Sequence, residues 1–139
     1  MSPIGWAIRP LSRYADFDGR SPRAEYWWFV GFQTLALAIL VILAVALVGD
    51  SSKPNPFFAA FIVPLAIGFI GLIIPNIAVQ IRRLHDQDRS GWFILLFVIP
   101  YIGGLISLVF MCIPGTDGPN RFGSDPYGNE TDHLEGVFA

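Results

Sequence analysis

The chain has 139 residues with a net charge of −2; 53% of them are hydrophobic and 14% charged. A soluble domain carries roughly 25% charged residues, so this composition excludes an ordinary water-soluble core and, with no basic excess, gives no sign of nucleic-acid binding. The single cysteine, Cys112, excludes an internal disulfide, and the soft ligands His85, His133 and Cys112 are too few for a zinc or iron–sulfur site within one chain, so no cofactor is expected.

Residues 1–21 read as an interfacial arm. Ile4, Ile8, Leu11 and Ala15 follow helical spacing, while Arg9, Arg13, Asp16 and Arg20 fall on another face, the pattern of a short helix in the headgroup layer. Pro10 reads as an early position of that helix and Gly19 as its end. A loose tail is the simpler alternative. The arm has no apolar stretch of signal-peptide length.

Ser21-Pro22 is a helix start, a hydroxyl cap followed by proline. From Tyr26 to Val48 the chain carries no charge, enough to cross a hydrocarbon layer of roughly 30 Å. Trp27 and Trp28 mark the interface. A polar turn over 49–56 leads to a second uncharged run, Phe57 to Ile81, with Pro64 and Pro75 inside it. In lipid a kinked helix remains the only way to pair its backbone groups. The third uncharged run is Trp92 to Ile113, interrupted by Pro100 and Gly103-Gly104.

The expected fold is therefore all-α. A three-helix transmembrane domain over 22–113, with spans near 26–48, 57–81 and 92–113, lies between the arm and a polar tail over 114–139. The arm and the 82–91 hinge hold Arg9, Arg13, Arg20, Arg23, Arg82, Arg83 and Arg89, against Lys53 and Arg121 elsewhere. With three crossings, the positive-inside rule puts the N-terminus and residues 82–91 in the cytoplasm and the C-terminus outside. The competing topology folds the third run back at Pro100–Gly104. Its arms are then too short to cross, and its bend needs protein cover.

Three stretches carry a resemblance. Residues Phe17-Asp18-Gly19-Arg20-Ser21-Pro22-Arg23-Ala24-Glu25-Tyr26-Trp27 resemble the F-x-G-R-x-x-R-x-E-Y-W opening of a bacterial inner-membrane family, domain of unknown function 805. Arg82-Arg83-Leu84-His85-Asp86 with Ser90-Gly91-Trp92 resembles that family's central pattern. Ile99-Pro100 with Gly103, then Gly115-Thr116-Asp117-Gly118-Pro119-Asn120-Arg121-Phe122-Gly123-Ser124-Asp125-Pro126, resembles its closing pattern. The resemblance implies a small helical protein of the bacterial inner membrane and carries over no catalytic or binding residue.

The polar candidates are Arg20, Arg23, Glu25, Arg82, Arg83, His85, Asp86 and Arg89. They read either as an interhelix polar cluster or as a site for anionic lipid headgroups. In the first reading Asp18 or Glu25 pairs with the hinge arginines, Asp86 pairs with a nearby arginine and His85 bonds backbone. Arg82 and Arg83 also sit where cations complement the C-terminal carbonyls of a helix. Gln33, Asn76, Gln80 and Ser107 suit helix-to-helix hydrogen bonds. No nucleophile–base pair or phosphate loop is visible.

The function expected is a noncatalytic accessory or assembly component beside membrane partners, with lipids and other membrane subunits, or itself, as neighbours. A self-associating transporter or channel is the alternative, since its prolines offer broken-helix backbone. A headgroup enzyme using His85, Asp86 and the arginines is the third reading.

Overall fold

The computed structural model describes residues 2–48 and 56–128. Lys53, His133 and the acidic end at Glu130, Asp132 and Glu135 lie outside the described residues. Helix α1 spans Pro3–Ser12, α2 Arg23–Val48, α3 Pro56–Gly71, α4 Ile73–Asp86 and α5 Gly103–Cys112, and a 3-10 helix covers Gly91–Val98. The fold is all-helical, as the apolar runs imply.

Helix α1 begins earlier than its prolines suggest. Ser2 is the N-cap, its Oγ accepting from the Gly5 N–H at 3.1 Å, and Pro3 is the first helical residue. Pro10 is thus internal rather than initial. Arg13 is the C-cap, and Gly19, at φ +81°, turns the chain afterwards toward α2.

Helix α2 supplies the first crossing. Its 26 residues rise about 39 Å, more than the hydrocarbon thickness. The second crossing is α3 and α4 joined end to end. Leu72 keeps helical angles, and its N–H reaches the Gly68 carbonyl at 3.2 Å while its own carbonyl receives the Asn76 N–H at 3.1 Å. Pro75 has no N–H to offer the Gly71 carbonyl one turn back. The Tyr14 hydroxyl, from the chain just after α1, donates to that carbonyl instead. The proline that interrupts the helix therefore also docks the arm.

The third run is two short helices rather than one long one. The 3-10 helix has 8 residues and α5 has 10, so the arms rise about 16 Å and 15 Å, each half the hydrocarbon depth. They form a hairpin turning at Ile99–Ile102. A Cβ on Gly103 would overlap the Phe97 carbonyl, so glycine is what lets α5 leave so close to the preceding helix. The apolar run over 92–113 thus takes the form of a hairpin, and its end returns to the end of α4. Ile113 and Thr116 bond to Arg83 and Asp86, at the C-terminal end of α4. Residues 113–123 thus share one end of the molecule with Gly19, Arg20 and the 82–91 hinge.

The core sits at that end. Tyr26, Phe29, Val79 and Met111 are buried together, flanked by Val30, Leu72, Phe97 and Phe110. Four elements meet there: α2, α4, α5 and the 3-10 helix. Farther along, the helices present bare apolar surface, including Leu35, Ile42, Val45, Val63 and Ile67.

Candidate functional site: a buried polar cap

Two carboxylates organise the cap. Glu25, in the first turn of α2, is fully buried, and its Oε1 accepts from Arg82 Nη2 at 2.9 Å. Arg9 of α1 places Nη1 3.5 Å from its Oε2. This one residue ties α1, α2 and α4 together. Arg82, also fully buried, directs Nη1 to the backbone carbonyls of Arg13 and Asp16.

Asp86, the last residue of α4, serves a second group. Its Oδ1 accepts from Arg20 Nε at 3.0 Å and its Oδ2 from Arg83. The Nη groups of Arg20 and Nη2 of Arg83 hold the tail. Arg20 Nη2 reaches the Thr116 carbonyl at 2.6 Å and Nη1 the Gly118 carbonyl at 2.5 Å, while Arg83 Nη2 reaches the Ile113 carbonyl. Arg9, Arg20, Arg82 and Arg83 outnumber Glu25 and Asp86, and these carbonyl dipoles offset the excess positive charge.

The C-terminal carbonyls of α4 are satisfied differently from the sequence expectation. The guanidinium groups of Arg82 and Arg83 point elsewhere. Thr116 donates its N–H (2.8 Å) and Oγ1 (3.2 Å) to the Asp86 carbonyl, and Asn120 Nδ2 donates to that of His85 at 2.9 Å. The tail therefore caps the helix. Gly115 makes the approach possible, since a Cβ there would overlap the Asp86 carboxylate.

His85 faces Gly19 and Phe122. Its Nδ1 lies 3.2 Å from the Gly19 carbonyl, which can only accept, so Nδ1 carries the proton. Its ring stacks on Phe122 with centroids 3.9 Å apart. Histidine 85 thus bonds backbone, and its neighbour Asp86 turns to the arginines.

The other candidates separate. Arg89 sits over the rings of Phe93 and Phe110, at 5.7 and 4.9 Å, and grips the base of the hairpin. Arg23 is exposed and forms no ion pair among the described residues. It lines a cleft of about 330 Å³ shared with Asp117 and Asp125. Asp18 does not reach the hinge arginines; its carbonyl accepts from Arg13. Arg13 also hydrogen-bonds Asp16 at 2.7 Å, which holds that carboxyl below the usual carboxylate range.

Tyr14, Gly115 and Thr116 escaped the reading of roles from sequence. Each acts through a backbone carbonyl or a close approach, and neither leaves a pattern in the chain. Asn120, which enters the sequence reading only through the resemblance, also bonds α4. Among the described residues no three His, Cys, Asp or Glu side chains come together to hold a metal ion. What the arrangement does chemically is tie backbone together. Arg20 and the terminal Nη groups of Arg82 and Arg83 donate to protein acceptors, Nε of Arg82 and of Arg83 is buried without one, and all three side chains are shut away from solvent.

The cap is built from the three stretches that carry the resemblance. They lie far apart in sequence, yet the first supplies Arg20 and Glu25, the second Arg82, Arg83, His85 and Asp86, and the third Gly115, Thr116 and Asn120. The family described as Protein of unknown function (DUF805) matches residues 14–124. Inner membrane protein YhaH of Escherichia coli (strain K12) is 41% identical over 123 residues, 88% of this chain and 97% of the relative. Inner membrane protein YhaI of the same organism is 38% identical over 121 residues, 87% of this chain and 94% of that one. No solved structure matches. With Arg20, Arg83 and Asp86 joining all three stretches in one cap, and the match covering most of the chain, this protein belongs to the DUF805 family.

Proposed function

We propose that this is a noncatalytic component of the bacterial inner membrane that packs sideways against other membrane-embedded protein. Relatives named as inner membrane proteins support the location. Charge supports an orientation with the cap in the cytoplasm. With the hairpin returning, Arg9, Arg13, Arg20, Arg23, Arg82, Arg83, Arg89 and Arg121 belong to one end, against Lys53 between the two crossings.

The hairpin tip carries the packing proposal. Ile99–Ile102 is irregular backbone at half the bilayer depth, and its side chains are exposed. Lipid tails offer no hydrogen-bond partners, so such backbone persists where protein covers it or it lines a water-filled cavity. The surrounding side chains, Leu95, Val98 and Leu105, are apolar and exposed, which favours protein over water. The buried cap supports the noncatalytic part, because its arginines hold loops and helix ends.

The test is the mass of the intact assembly released from native membranes in mild detergent. An assembly larger than one chain, at fixed stoichiometry, is expected. A strictly monomeric species that drives solute flux alone in liposomes would replace this reading with the transporter.

A further inference from the structure

We infer that the body covering the hairpin tip is a second copy of this chain, and that Tyr101 of each copy seats in the groove between α2 and α3 of the other. The inference rests on the lateral-packing reading and names its partner.

Tyr101 is built as a knob. It stands at the hairpin tip, fully exposed, with φ +66°. A left-handed tyrosine costs energy and persists when its surroundings require it. Its hydroxyl has no partner among the described residues. A phenol fixed outward in hydrocarbon needs an acceptor or donor from elsewhere.

The groove is built as a hole with a polar handle. Phe29, Phe32 and Ala36 of α2 and Leu65, Gly68 and Phe69 of α3 enclose about 320 Å³. A Cβ added at Gly68 would meet nothing, so the glycine leaves the groove open. Gln33 lies in its wall. Its Oε1 accepts from Asn76 Nδ2 at 3.0 Å, while its Nε2 is buried without an acceptor. An aromatic ring tipped by an oxygen fits this lining, and an acyl chain gives Nε2 nothing.

Depth makes the match self-complementary. Arg23 to Gln33 rises about 15 Å along α2 from the cap, and the hairpin arms carry Tyr101 about the same distance from the cap. A two-fold axis along the membrane normal brings together groups of equal depth, and an isologous contact pairs i with j and j with i. Gln33 then donates to Tyr101 of the partner, twice over.

The test uses two populations of the full chain in a Cys112→Ser background. One carries Ala36→Cys in the groove and the other Ile102→Cys beside Tyr101, which stays intact. Co-expressed in membranes and cross-linked with a short thiol reagent, they should give a covalent dimer; Val45→Cys paired with Ile102→Cys should not. Native mass spectrometry should show a dimer. Tyr101→Phe and Gln33→Leu should each weaken it about tenfold to two-hundredfold, the threefold to fifteenfold range of one hydrogen bond between membrane helices taken twice in a symmetric dimer. The double variant should lose no more than either single one. A monomer without cross-link overturns both this inference and the lateral-packing reading. Cross-linking of Ile102 to a different protein alone overturns the second copy and leaves lateral packing standing. Independent, multiplying losses in the double variant overturn the Gln33–Tyr101 pairing.

Discussion

Replacing Asp86 by alanine should damage this protein more than any other single charge removal. The carboxylate is 3% exposed and stands between two guanidinium groups that are themselves 2% and 0% exposed. Its loss leaves Arg20 and Arg83 facing each other without a counter-charge. Removing one partner of a buried pair costs about 3–5 kcal/mol. The exposed pair Arg121–Asp88, at 3.1 Å with both side chains about half exposed, sets the contrast, since such pairs contribute about 0–1 kcal/mol. Both variants should be unfolded thermally in the same detergent, followed by tryptophan fluorescence. Asp86→Ala should lower the midpoint by on the order of ten degrees, and Arg121→Ala by a few at most. Limited proteolysis should also cut the Asp86→Ala tail near residues 114–123 before the helices melt, because Arg20 and Arg83 hold it there. Equal small shifts for the two variants would refute the view that the buried cap, rather than lipid, holds the ends of the helices in register.

Gly115→Ala should cost about 1–3 kcal/mol, the usual effect of forcing atoms into a packed site, and should expose the tail to protease as Asp86→Ala does; the same substitution at Gly104, where a Cβ meets nothing, should leave melting unchanged. Tyr14→Phe removes the donor to the Gly71 carbonyl and should cost about 1 kcal/mol. That cost should shrink in a Pro75→Ala background, where the new N–H reaches the same carbonyl, and a double-mutant cycle of melting midpoints would measure it. Glu25→Gln should lower stability by more than 1 kcal/mol, since it leaves Arg82 buried without its counter-ion; an unchanged midpoint would remove Glu25 as the tie between α1, α2 and α4.

The crossings were legible because their signals are local. Length and lack of charge define Tyr26–Val48 and Phe57–Ile81, and Trp27 and Trp28 fix the depth of the first. The third run has the same composition and length, yet it folds back. What distinguishes it is distant: Gly103 must pass the Phe97 carbonyl, and the carbonyls of Ile113, Thr116 and Gly118 must meet Arg83 and Arg20. Sequence weighed the bend against its exposed backbone and could not see the anchors on the far side. The polar cluster was legible as a set of residue types, and the structure brings Arg20, Glu25, Arg82, Arg83 and Asp86 together. Their partners were hidden because most are main-chain carbonyls, which every residue possesses. Tyr14 illustrates this: only the missing N–H of Pro75, far along the chain, makes its hydroxyl matter.

The sidedness of the tail tests the hairpin and its cap most directly. Single cysteines at Asp18, Asp88 and Asp117, each in a Cys112→Ser background, should be labelled by a membrane-impermeant thiol reagent from one and the same face of oriented vesicles, and a cysteine at Ser52 from the other. Asp117 labelled together with Ser52, opposite Asp18 and Asp88, would mean that Trp92–Ile113 crosses after all and that the cap does not form.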